Sequence, residues 1–207
     1  MWLPILVGIL TSYLLGNLNG AVCMSALMHD DVRSHGSGNA GLTNFVRNYG
    51  AGKALGVVLI DAGKAVLACL TAGLLLEPYG CYAVGTAIGG LAVMTGHAFP
   101  ALLGFRGGKG ILSGLFIALV LDWRVALLIL IIFAVIYVLT GYVSLGSVIA
   151  ATVFGIGLAV AHWGNWTVVA CSLVMGALAV FMHRGNIARL INGTERKTNL
   201  FKKGKSE

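Results

Sequence analysis

Charge is what this sequence has least of. Only 10% of its 207 residues are Asp, Glu, Lys or Arg, against about 25% in soluble globular chains. Hydrophobic residues make up 58%, and the mean hydropathy is +0.91. Such a balance excludes an ordinary water-soluble fold and predicts an all-α, polytopic membrane helix bundle. Acidic residues are scarcer than basic ones, seven against fourteen, for a net charge of +7. In a soluble protein that surplus would suggest nucleic acid. In a chain this apolar it belongs to cytoplasmic loops, and no nucleic-acid partner is expected. Polar or Pro/Ser-rich linkers are missing too, so residues 1–207 read as one domain. The four cysteines, Cys23, Cys69, Cys81 and Cys171, are dispersed with no C-x-x-C pair. They suit neither a disulfide nor a metal site and read as small core residues. No basic leader or A-x-A site precedes Asp30, so the first apolar run is expected to be a retained helix.

What is abundant is apolar runs and glycine. The thirty glycines suit close helix approach and tight loops. Apolar runs cover residues 2–28, 54–76, 81–95, 111–121, 125–140, 148–162 and 166–182, which predicts seven transmembrane helices. The fourth and fifth runs are short, and a hairpin there that failed to cross would leave five. With the C-terminus cytoplasmic, the inside segments are 29–53, 96–110, 141–147 and 183–207. They carry twelve of the fourteen Lys and Arg residues; only Lys64, within a span, and Arg124, outside, remain. The expected orientation is therefore N-terminus out and C-terminus in. Asp61 and Lys64 stand i, i+3 on one face of the second span. They read as a buried ion pair, and a carrier would use the same pair for gating.

Three polar clusters fall on the same predicted face. The first, G-S-G-N-A-G-L-T-N-F-V-R at 36–47, contains G-x-G-x-x-G, but no strand precedes it and a dinucleotide site is not indicated. Its hydroxyl, amide and guanidinium groups can bind phosphate; a glycine-rich connector with capping Ser and Asn is the plainer alternative. The second, G-H-A-F-P-A-L-L-G-F-R-G-G-K-G at 96–110, sets Arg106 and Lys109 among glycines. It suits an anion or, more simply, a basic loop that fixes orientation. It is no ATP-binding P-loop, because Leu103 and Gly110 stand where a glycine and a hydroxyl are required. His97 there can act as acid, base or hydrogen-bonding group. The third runs H-R-G-N-I-A-R-L-I-N-G-T-E at 183–195. If helical, it places His183, Asn186 and Ile187 on one face with Arg189 turned away. A lipid-binding basic segment is the alternative reading, preferred for Lys202, Lys203 and Lys205, whereas Glu195 has no place in such a patch.

Together the three clusters resemble the motifs of one family, the bacterial acyl-phosphate:glycerol-3-phosphate acyltransferases of the PlsY type. Their pattern is G-S-G-N-x-G-x-T-N-x-x-R, then G-H-x-F-P-x-x-x-x-F-K-G-G-K-G, then H-R-x-N-I-x-R-L-x-x-G-x-E. The chain departs at Arg106, where the family usually has Lys, which keeps the cation. The resemblance implies a multi-pass enzyme of the bacterial inner membrane, active on its cytoplasmic face. It would move a fatty acyl group from acyl phosphate to the 1-hydroxyl of sn-glycerol 3-phosphate, giving lysophosphatidic acid and inorganic phosphate, the first step of phospholipid synthesis. No metal or cofactor is called for; the partners are the two substrates and membrane lipid. None of the five histidines is followed five positions on by Asp, so the His-x4-Asp chemistry of acyl-CoA-dependent enzymes is disfavoured.

Acyl phosphate is already activated, so the protein must chiefly position two anions and stabilise developing charge. No Ser-His-Asp signature offers a covalent nucleophile, and direct attack by the glycerol hydroxyl is expected. Its proton goes to the departing phosphate or to His183. Lys109, His183 and Arg47 are the expected catalytic groups. Ser37, Gly38, Asn39, Thr43, Asn44, His97, Arg106, Gly107 and Gly108 are expected to bind substrate, with Ser144, Ser147, Asn186 and Glu195 completing the glycerol-phosphate end. The rival reading is a transporter of an organic phosphate or other anion; against it, the polar residues gather at one face and no internal repeat is visible.

Overall fold

The computed structural model describes residues 1–197; Lys202, Lys203 and Lys205, expected to bind lipid, lie outside the described residues. Every expected apolar run is helical. The order is α1 (Trp2–Gly16), α2 (Gly20–Ala26), α3 (Leu42–Tyr49), α4 (Ala54–Leu76), α5 (Tyr82–Ala98), α6 (Ile111–Leu121), α7 (Trp123–Thr140), α8 (Val143–Ala161), α9 (Trp166–Met182) and α10 (Arg184–Ile191). By length and composition α4, α5, α7 and α8 can each cross a membrane alone, and α1–α2 and α9–α10 qualify as pairs bent by 44° and 55°. The fourth run, α6, has eleven residues and is about 16 Å long, too short to cross a core of about 30 Å alone.

The predicted single helix over 2–28 is therefore two helices with a break, and side-chain chemistry explains it. Asn17 donates Nδ2 back to Tyr13 O at 2.7 Å and accepts Leu102 N–H at 3.0 Å. Asn19 caps α2 by accepting Val22 N–H at 3.0 Å, while its Nδ2 reaches Ala40 O at 3.0 Å. Two amides thus replace helix hydrogen bonds and tie the break to the loops that follow. The backbone groups it frees are taken up from α4: Lys64 Nζ donates to Leu18 O at 2.5 Å, and Asp61 Oδ1 accepts Gly20 N–H at 3.0 Å.

α4 packs on α5 and α1, α9 on α8, and α6 bridges α4 to α7 and α8. The interior between them holds Ala65, Cys69, Met94, Ile117, Phe154, Leu158 and Met175; Cys171 is also buried. α1 and α5 meet at glycines, since a Cβ on Gly16 would lie 2.4 Å from Val93 O and one on Gly96 2.2 Å from Tyr13 O. The outer surface is apolar: Leu127, Leu128, Ile131, Val138 and Leu139 of α7 are all exposed, which fits lipid as their solvent.

Two expected loops are shorter than their segments. Gly96, His97 and Ala98 form the last turn of α5 instead of opening the 96–110 loop. In 141–147 only Gly141 and Tyr142 precede α8, so Ser144 and Ser147 stand on its first turns. In both places small and hydroxyl residues, which read as loop formers, are held helical by packing.

Candidate active site

The 36–47 segment owes its shape to Asn44. Its Nδ2 donates to Val32 O, His35 O and Asn39 O at 3.0 to 3.1 Å, and its Oδ1 accepts Ser37 N–H at 3.0 Å. The loop is thus wrapped around one buried amide, and Ser37, Asn39, Thr43 and Arg47 are presented on a common wall. Arg47 projects from α3, whose Phe45 is buried against Ala21, Val32 and Val57.

Gly107 and Gly108 explain how the second segment folds back. A Cβ on Gly107 would fall 1.9 Å from His97 O, and one on Gly108 2.2 Å from His97 Nε2. Gly108 N–H donates to His97 O at 3.0 Å. The glycine pair therefore lies flat on the end of α5 and delivers Lys109 to the far side.

The third segment supplies a linked set of groups. Lys109 Nζ donates to Asn186 Oδ1. Asn186 Nδ2 donates to Glu195 Oε1 at 2.8 Å, and Arg189 Nε to Glu195 Oε2 at 2.7 Å. Arg189 is not turned away, as the helical projection implied: Glu195, six residues on, folds back and holds it at the cavity wall. His183, which caps α9, donates Nδ1–H to Ala179 O at 2.7 Å, so its other nitrogen bears a lone pair. The Ser144 hydroxyl is buried beside Glu195 but makes no hydrogen bond of good geometry.

These walls enclose a cavity of about 480 Å³. Its lining combines the polar groups Arg47, Lys109, Arg189 and Arg196, with Glu195 and His183, and apolar side chains: Ile111 and Leu115 of α6, Ile129 and Phe133 of α7, and Val143 and Ala150 of α8. Burial, with Arg189 and Arg47 nearby and Glu195 opposing them, pushes Lys109 down to about 8. Burial also lowers Arg47, Glu195 pulling the other way and Arg196 and Arg189 adding to the fall. Burial raises Glu195, yet hydrogen bonds from Asn186 and Arg189 outweigh it and hold its carboxyl below the usual range. A wall where cations outnumber carboxylates and partly discharge one another suits a dianion.

Of the expected site residues the cavity gathers Ser37, Asn39, Thr43, Asn44, Arg47, His97, Lys109, Ser144, Ser147, His183, Asn186 and Glu195. Gly38, Gly107 and Gly108 lie off its wall and shape the backbone, and Arg106 faces a separate surface depression with Asp31, Arg33 and Ser34. Asn44 touches the cavity with an amide already committed to the loop. Sequence reasoning missed Arg189 and Arg196 and left Asp61 outside the site, although it lines the cavity. For Arg189 the signal was Glu195 itself, a carboxylate among cations that needs a partner.

The family described as Glycerol-3-phosphate acyltransferase matches residues 6–193. A glycerol-3-phosphate acyltransferase of Thermoanaerobacter sp. (strain X514) is 38% identical over 90% of this chain and 91% of its own. One of Synechococcus sp. (strain CC9902) is 40% identical, with both chains covered in full. The fold is similar to the crystal structure of PlsY (YgiH), an integral membrane glycerol 3-phosphate acyltransferase, in its glycerol 3-phosphate form. The TM-score is 0.86 at 32% identity, over 96% of this chain and 99% of that one. The lysophosphatidic acid form gives 0.84 at 31%, over 95% and 96%. With its motifs on one cavity and its whole length matched, this chain belongs to the glycerol-3-phosphate acyltransferase family.

Proposed function

We propose that the protein transfers a fatty acyl group from acyl phosphate to the 1-hydroxyl of sn-glycerol 3-phosphate, releasing inorganic phosphate and forming lysophosphatidic acid. It does so as a multi-pass enzyme of a bacterial inner membrane, with the N-terminus outside and the cavity open to the cytoplasm. The observation that carries this reading is the cavity's mixed lining, with cations that include Lys109 and Arg47 beside apolar side chains from α6, α7 and α8. Each substrate is a phosphate compound, and one of them also carries a hydrocarbon chain.

Arg47, Lys109 and Arg189 neutralise the phosphates, with Ser37, Asn39 and Thr43 donating hydrogen bonds from the loop. Ser144, whose hydroxyl makes no hydrogen bond of good geometry among the described residues, and Ser147 serve the glycerol end. The glycerol oxygen attacks the acyl carbon, a C–O ester bond forms, and the C–O bond to phosphate breaks with its electron pair on the departing phosphate. The hydroxyl proton leaves by the bare Nε2 of His183 or by the phosphate itself. His183→Ala separates the two: an unchanged pH profile with weaker substrate binding assigns the proton to phosphate, and loss of the acidic limb assigns it to His183.

Purified protein given palmitoyl phosphate and labelled glycerol 3-phosphate is expected to yield lysophosphatidic acid and phosphate. No product, or equal activity with palmitoyl-CoA, would refute the donor assignment.

A further inference from the structure

Asp61, Lys64 and His97 form a cluster at the join of α4, α5 and the α1–α2 break, each at most 4% exposed. Lys64 Nζ lies 2.8 Å from Asp61 Oδ1, 2.5 Å from Leu18 O and 2.8 Å from His97 Nδ1. An ammonium has three protons and no lone pair, and these are its three nearest acceptors, with Gly16 O farther off at 3.4 Å. Nδ1 of His97 therefore receives a proton and does not carry one, and the imidazole's own hydrogen sits on Nε2. Nε2 lies against Gly108, where any Cβ would come within 2.2 Å. His97 lines the cavity, and glycine at 108 leaves room beside that edge of the ring. Among the described residues the side chain's hydrogen bonding runs through Nδ1, which leaves the Nε2–H as a donor for a ligand oxygen.

We propose that Lys64, held by Asp61, is a positioning residue: it locks His97 as the neutral Nε2–H tautomer and so makes it a fixed hydrogen-bond donor to a negatively charged substrate oxygen. The ion pair then does more than satisfy the carbonyls of the helix break. A neutral donor can stabilise developing oxyanion charge without giving up its proton. The inference rests on the active-site reading proposed above.

The test uses full-length protein in nanodiscs with ¹⁵N-labelled histidine, correlating ring nitrogens with ring hydrogens and assigning His97 by its loss in His97→Gln. Wild type is expected to show the proton on Nε2. The double variant Asp61→Asn/Lys64→Met removes both charges together and leaves neither buried alone. In it, His97 is expected to populate the Nδ1–H form, with kcat down about 10- to 100-fold, the scale of one lost hydrogen bond to a charged group, and KM for glycerol 3-phosphate changed less than kcat. His97→Gln is expected to keep more kcat than His97→Asn, because only the longer amide brings an N–H to the Nε2 position. A wild-type proton on Nδ1, wild-type turnover per folded molecule in the double variant, or the reverse Gln/Asn order would each overturn the proposal. Should the double variant not fold, the wild-type spectrum and the Gln/Asn order still decide. Absence of acyl transfer by wild type would instead refute the function, while the spectrum would still report the tautomer.

Discussion

His97 and His183 face one cavity from two halves of the bundle and present opposite ends of the same ring. His97, on α5, accepts from a buried ammonium through Nδ1 and shows the cavity an N–H. His183, at the end of α9, donates through Nδ1 to the Ala179 carbonyl and shows the cavity a lone pair. Nothing in the imidazole makes this difference; whatever holds Nδ1 decides it. The surroundings differ in the same way. The α1–α4–α5 corner is closed, with one cation matched to one carboxylate. On the α8–α10 side, Lys109 and Arg189 share Glu195, and with Arg196 on the same wall the cations outnumber that carboxylate. A buried charge matched by a counter-charge builds structure, and a surplus of one sign on a cavity wall suits a ligand of the other.

The largest expected effect falls on the closed corner. Lys64→Ala strands Asp61 without its counter-ion and should cost about 3–5 kcal/mol of stability, read as a fall in melting temperature in detergent, whereas the Asp61→Asn/Lys64→Met double variant should lose less. A double variant no more stable than Lys64→Ala would break the contrast. On the ligand-facing side, Lys109→Ala or Arg47→Ala should lower turnover by about 10²–10³-fold, the scale of a lost charge-stabilising donor, with little change in melting temperature. Near-normal turnover at saturating substrate would remove that residue from the phosphate wall.

A smaller effect is expected from pH. Lys109 is held near 8, and its cation is present below that value and lost above it. The log of kcat/KM should therefore fall as pH rises from about 8 to 9.5, at up to tenfold per unit. Lys109→Arg, whose guanidinium stays charged, should move that fall to higher pH; an unmoved limb would assign it elsewhere. The smallest effect is Gly108→Ala, whose Cβ would press on His97 Nε2. It should reduce kcat more than the affinity for glycerol 3-phosphate, and an unaltered kcat would show that the ring has room to move.

Much of this was legible in the chain. Scarce charge and long apolar runs gave a membrane helix bundle, because a backbone in lipid must bond to itself. Three polar clusters gave a candidate site, and twelve of its expected residues line one cavity. The break at Asn17–Asn19 was not legible, since an isolated apolar run gives no sign that two amides will find partners at Leu102 and Ala40. Nor was the place of Arg189: helical projection turned it outward, and only the return of Glu195 across the helix brings it in.

Composition and motif order by themselves determined the solvent, the fold class and the family of this protein, because hydropathy and residue type are local properties. Only the tertiary structure decided which glycines line the cavity and which merely make room, which cations share that wall, and what holds Nδ1 of each histidine. Those depend on distances between residues far apart in the chain, such as Lys64 and His97 at 2.8 Å, where a hydrogen bond's direction is set by packing and leaves no mark on local sequence.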